Sequence, residues 1–166
     1  MAVEGTEKHG AADTALQCKP MVREYLDQVY IPAATAFRER TAENARLAME
    51  LSAWQQHIRD NWPRIHFGAV RINDSEGKYR FIAELYLSDL DPGLVRVELY
   101  ADASEGQSPE HIAARCEGPI TGAVNGYFYS VEMGAVRPAS DYTFRVVPYH
   151  PKAHVPLEES HILWRE

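Results

Sequence analysis

Cysteine is scarce: Cys18 and Cys116 are the only two in 166 residues. Two thiols cannot staple a disulfide scaffold or fill a Cys-rich zinc module, so the chain must fold on an apolar core with both thiols reduced. Lysine is scarce too, limited to Lys8, Lys19, Lys78 and Lys152. The formal net charge is −7, and such a chain, without clustered Lys or Arg, is not built to displace counterions from nucleic acid. No apolar run approaches the ~20 residues that a membrane-spanning helix needs. The opening MAVEGTEKHG lacks the apolar stretch of a secretory leader. These absences predict a soluble cytoplasmic protein with neither nucleic acid nor membrane as a partner.

What is present is ordinary globular material. Hydrophobic residues make up 45% of the chain and charged residues 25%. A chain of this length buries about 70% of its unfolded surface and needs no staples. The length predicts one domain with an appendage, and three zones can be told apart.

Residues 1–19 hold almost no large apolar side chains and cannot offset their chain entropy, so they are expected to form a disordered arm. Residues 20–62 carry helical periodicity and predict a helical hairpin. Val22, Tyr25, Leu26 and Val29 make one apolar stripe, and Pro20 suits a first turn. Pro32 is expected to break or kink the helix. Thr41 is the expected N-cap of a second helix, with Glu43 and Asn44 in its first turn. Leu47, Leu51, Trp54 and Ile58 then recur at helical spacing until Asn61-Trp62-Pro63 stops the run.

In residues 63–166 the period changes from 3.6 to 2. Phe81, Ala83, Leu85 and Leu87 alternate with Arg80, Ile82, Glu84 and Tyr86, and Val95, Val97 and Leu99 with Arg96, Glu98 and Tyr100. Tyr127–Met133 and Tyr142–Val147 repeat the pattern, and Arg64–Ile72, His111–Cys116 and His161–Trp164 are shorter candidates. Turn residues separate them, as at Asn73–Gly77, Asp89–Gly93, Ser104–Gly106, Asn125-Gly126 and Arg137–Ser140. The fold class expected is mainly β: a two-sheet antiparallel immunoglobulin-like sandwich of about seven strands, preceded by the α-helical hairpin.

No catalytic motif emerges. His150-x3-His154 has the ligand spacing of a helix, but Pro151 and Pro156 oppose a helix there, and no metal site is expected. There is no G-x-S-x-G elbow and no phosphate loop with its lysine. Cys116 is read as a small buried hydrophobe in a strand, and Glu84 and Glu98 as solvent-facing strand residues. The aromatics are more informative: three Trp, nine Tyr and five Phe lie mostly in the strand zone. Trp54 is read as core, while Trp62 and Trp164 favour interdomain packing. Alternation aims Tyr86 and Tyr100 outward, where flat rings can stack on sugar rings while carboxylates and arginines take the hydroxyls. The competing reading is that the hairpin covers these rings as a second core.

Two segments carry a resemblance. Met21–Tyr30 (MVREYLDQVY) is similar to the last helix of the α-glucan phosphorylases through Glu24-Tyr25 and the closing aromatic Tyr30, although the basic residue sits at Arg23. Val95–Tyr100, Asn125-Gly126-Tyr127, Arg137–Pro151 with its RVVPYHP, Val155–Glu158 and Ile162-Leu163-Trp164 resemble, in that order, the C-terminal extension of bacterial short-form α-glucan phosphorylases. The resemblance implies the tail of a larger enzyme that cleaves α-1,4-glucans with inorganic phosphate to glucose 1-phosphate. The pyridoxal phosphate of such an enzyme lies on a lysine upstream. None of Lys8, Lys19, Lys78 and Lys152 has a matching context, so no catalytic or cofactor residue is carried over.

The function expected is that of a non-catalytic accessory domain. It would dock or brace the catalytic body through the hairpin, or bind glucan at Tyr86 or Tyr100. The exposed helical stripe would make the isolated chain prone to dimerise. The alternatives are activity of the chain alone, which no motif supports, and a protein–protein interaction sandwich unrelated to glucan.

Overall fold

A computed structural model describes residues 22–104, 106 and 108–165. The expected N-terminal arm, with Cys18 and Pro20, lies outside the described residues. A π-helical turn, Leu26–Tyr30, leads into helix α1, Ile31–Asn61. Eight strands follow: β1 His66–Ser75, β2 Lys78–Tyr86, β3 Val95–Ala101, β4 Glu110–Ala113, β5 Arg115–Pro119, β6 Gly126–Gly134, β7 Tyr142–Pro148 and β8 Leu163–Trp164. The chain is therefore mainly β with a leading helix. It divides into two compact units, Met1–Glu50 and Leu51–Glu166, and the second includes the last turns of α1.

In the first unit the helix runs through Pro32, where a break was expected. Proline is tolerated in a first helical turn, and the π-helical turn ahead of it loosens the backbone there. The interruption comes later: Ala42 is extended at ψ 158°, and Glu43, Asn44 and Ala45 take φ of 50–60°. Thr41 does not cap a new helix. Its hydroxyl donates back to the Phe37 carbonyl at 2.9 Å, the bond of a residue still inside the preceding helix.

In the second unit the strands form two four-stranded antiparallel sheets, ordered β1-β2-β6-β5 and β4-β3-β7-β8. Alternation sorts their side chains. Phe81, Ala83 and Leu85 of β2, Val97 and Leu99 of β3, Val131 of β6, and Phe144 and Val146 of β7 are buried. Phe81 meets Tyr142 at 5.7 Å and Phe144 at 6.4 Å between ring centres, so the apolar faces of the two sheets pack together. Each large side chain so buried contributes roughly 1.5–3 kcal/mol. Leu51, Trp54 and Ile58 of α1 are buried in the same unit. Trp54 lies on His150 and Trp62 on His161, ring centres 5.4 and 5.5 Å apart. Trp54 is thus core as expected, and the histidines of the Pro-rich tail serve as packing partners.

Turn chemistry fixes the register. Glu76 and Gly77, at φ 51° and 75°, make the two-residue turn between β1 and β2, both positive as a type I′ hairpin requires. Asn125, at φ 49°, precedes β6 and donates through Nδ2 to the carbonyls of Ser88 and Leu90. The expected strand His111–Cys116 is two strands. β4 pairs with β3 in one sheet and β5 with β6 in the other, the chain changing sheets at Ala114. Cys116 is consequently exposed rather than buried, because β5 is an edge strand whose pairing with β6 shifts register between Cys116 and Gly118.

Candidate functional site

The outer face of the second sheet concentrates the chemistry of this unit. On β3 the residues between buried Val95, Val97, Leu99 and Ala101 are Arg96, Glu98 and Tyr100, and on β7 they are Thr143, Arg145 and Val147. Antiparallel pairing sets Glu98 opposite Arg145, Arg145 opposite Trp164, and Tyr100 opposite His111. Arg145 is the hub. Its Nε and Nη2 both donate to Glu98 Oε2, at 2.9 and 2.7 Å, and its guanidinium lies 4.6 Å from the Tyr100 ring centre and 5.4 Å from that of Trp164. Nη2 is also 2.6 Å from His111 Nδ1. With Arg145 and Glu98 only 15% and 12% exposed, the charges neutralise each other in a partly dry setting, where such a bond is stronger than at an open surface.

Tyr100 is held from several sides. Trp164 meets it edge-on at 5.2 Å and His111 at 5.0 Å. Its hydroxyl donates to Asp102 Oδ1 at 2.8 Å. That bond to a carboxylate, helped by partial burial, keeps the phenol protonated above its usual range. Beside this cluster a cleft of about 240 Å³ is lined by Arg96, Glu98, Arg145, Tyr149, His150 and Ile162, among others. Arg96 is exposed and lies 4.6 Å over the Tyr149 ring. It has no carboxylate within ion-pair distance among the described residues.

Tyr86 also projects outward, but from β2 in the other sheet. The two tyrosines named from sequence therefore lie on different outer faces and do not form one platform. The Tyr86 ring is stacked on His66 at 5.0 Å, and a Cβ at Gly68 or Gly126 would come within 2.8 or 3.0 Å of it. It fills the space left by two glycines, a cross-strand packing role. Glu84 and Glu98 do sit on outer faces, yet both are half-buried. Glu84 accepts from the Ala69 amide.

Sequence alone misses the cluster around Arg145. The signal is present in the alternation of Thr143, Arg145 and Val147, but the register that sets Arg145 between Glu98 and Trp164 is not written in any one strand. Trp164, read as favouring interdomain packing, stands on this face at 39% exposure.

Other titratable groups have structural explanations. Burial, reinforced by the hydrogen bond to Glu110, pushes the Tyr142 phenol up to about 12. Burial moves Tyr129 in the same direction. The Ser130 hydroxyl donates to Glu117 at 2.6 Å and holds that carboxyl below its usual range. Buried Glu159 accepts from His161 at 2.5 Å and pairs with Arg59 at 3.4 Å, tying the tail to α1. Among the described residues no three His, Cys, Asp or Glu side chains gather as metal ligands. The described lysines, Lys78 and Lys152, are both exposed, and neither lines the cleft. No described helix is long and apolar enough to cross a membrane.

No family profile matches the chain. It is distantly similar to the maltodextrin phosphorylase of Thermococcus litoralis, 26% identical over 138 residues, which covers 80% of this chain and 16% of that one. It is similarly related to the glycogen phosphorylases of Mycobacterium tuberculosis and Mycobacterium bovis, 27% identical over 143 residues, covering 79% of this chain and 16% of theirs. The chain spans about one sixth of the length of the curated relatives it matches.

Proposed function

We propose that the chain is a non-catalytic accessory domain from the C-terminal region of a cytoplasmic α-glucan phosphorylase, whose catalytic body carries the pyridoxal phosphate and performs the phosphorolysis. The observation that carries this reading is the similarity itself: four fifths of the chain aligns with one sixth of each phosphorylase. The leading helix supports it. Val22, Tyr25, Leu26 and Val29 are 45–56% exposed along one stripe, an apolar surface suited to docking on the rest of such an enzyme. The strand order supports an immunoglobulin-like sandwich. With β1, β2, β5 and β6 as A, B, D and E, and β3, β4, β7 and β8 as C, C′, F and G, the sheets read ABED against C′CFG.

The test is the size and chemistry of the native polypeptide. An antibody raised against this 18.8 kDa chain should detect a species several-fold larger in its native cell. The isolated chain, given maltoheptaose, inorganic phosphate and pyridoxal phosphate, should release no glucose 1-phosphate. A native species of about 19 kDa, or turnover by the chain alone, overturns the reading.

A further inference from the structure

We propose that the outer face of β3, β7 and β8 is a surface site for α-1,4-glucan, with Trp164 as the stacking platform and Arg96 and Glu98, at the adjoining cleft, taking sugar hydroxyls. The choice of glucan rests on the phosphorylase reading; the site rests on its own geometry. Trp164 is an indole left 39% exposed on a polar sheet face, while Trp54 and Trp62 are 6% and 7% exposed. Its ring is already positioned by Arg145 at 5.4 Å and by the Tyr100 edge at 5.2 Å. A platform locked before binding loses little side-chain entropy when a sugar arrives. Glu98 neutralises Arg145 beside the platform, while Arg96, over the Tyr149 ring, keeps its N–H donors for hydroxyls at the cleft. Glu98 is an acceptor and Arg96 a multiple donor, and sugar hydroxyls satisfy both. The cleft, at about 240 Å³, is smaller than the usual enclosed small-molecule pocket of roughly 300–1,000 Å³. It suits a chain laid across the face with one residue dipping in.

The experiment titrates the full chain with maltoheptaose by calorimetry and with glycogen by affinity electrophoresis, and follows acrylamide quenching of tryptophan emission. Millimolar maltoheptaose should protect the one exposed indole from quenching. Trp164→Ala and Arg96→Ala should each weaken binding about tenfold or more, with thermal midpoints close to the parent. Val124→Ser, at an exposed position in the loop joining β5 to β6 of the other sheet, should bind as the parent does. No binding at millimolar maltoheptaose overturns the site. So does binding undiminished in both variants, or a preference for inorganic phosphate or glucose 1-phosphate over the neutral glucan. Failure here beside a large native polypeptide removes only the glucan site. Binding here beside a native species of about 19 kDa removes only the accessory-domain reading.

Discussion

Tyr142 shows how one buried hydroxyl ties stability to pH. It is 7% exposed, and its phenol donates to Glu110 Oε2 at 2.9 Å. Its pKa, pushed up to about 12, compares with ~10 for an unfolded tyrosine. The folded state therefore holds this proton more tightly than the unfolded state. The resulting stabilisation is whole below pH ~10 and is lost as pH rises toward the folded value. The loss approaches an order of 2 kcal/mol near that value. Tyr129 moves in the same direction and adds to the slope. Urea unfolding midpoints measured from neutral pH into the alkaline range should fall steeply above pH ~10. Tyr142→Phe should flatten part of that fall, at the expense of about 1 kcal/mol at neutral pH for the lost hydrogen bond. An unchanged alkaline slope in the variant would show that Tyr142 is not the group responsible.

Among the elements, the pairing of β2 with its neighbours depends on missing side chains. Gly126 is buried at the start of β6, opposite Tyr86. A Cβ there would sit 3.0 Å from the Tyr86 ring and 3.1 Å from Ala123 Cβ. Gly126→Ala should destabilise the sheet by about 1–3 kcal/mol through overpacking. Tyr86→Ala in the same chain should recover part of that loss, a coupling of at least ~0.5 kcal/mol in a double-mutant cycle. Additive losses would mean that the ring is free to move aside. The strands β4 and β5 teach a related lesson. Their residues read as one alternating run, His111–Cys116, because alternation reports which face a side chain takes and not which sheet owns the strand. The change of sheet at Ala114 comes from pairing with β3 on one side and β6 on the other.

For the whole molecule, the exposed apolar stripe of the first unit predicts self-association of the isolated chain. Val22, Tyr25, Leu26 and Val29 are exposed, and an apolar helix face in water favours a second copy when its docking partner is missing. Sedimentation velocity of the isolated chain should show a concentration-dependent dimer. Leu26→Asp/Val29→Asp should shift it to monomer. The thermal midpoint of the sheets should stay within about 1 °C of the parent, because neither position belongs to the unit Leu51–Glu166. A dimer that persists in the double variant would place the self-contact elsewhere.

By itself the sequence determined the mainly β character of residues 63–166, most strand positions, the inward faces of β2, β3 and β7, and the end of α1 at Asn61. Those features follow from local periodicity, proline and turn chemistry, each confined to a few neighbouring residues. Pro32 and Thr41 show the limit of local signals: the helix runs through Pro32, and Thr41 closes the segment before the interruption at Ala42–Ala45 rather than capping the one after it. Only the tertiary structure decided the strand order, the sheet change at Ala114, the exposure of Cys116, and the placement of Tyr86 and Tyr100 on different faces. It alone assembled Glu98, Arg145, Trp164 and Tyr100 into one cluster. The physical reason is that cross-strand register joins residues dozens of positions apart, and no local pattern specifies which outward side chains will meet.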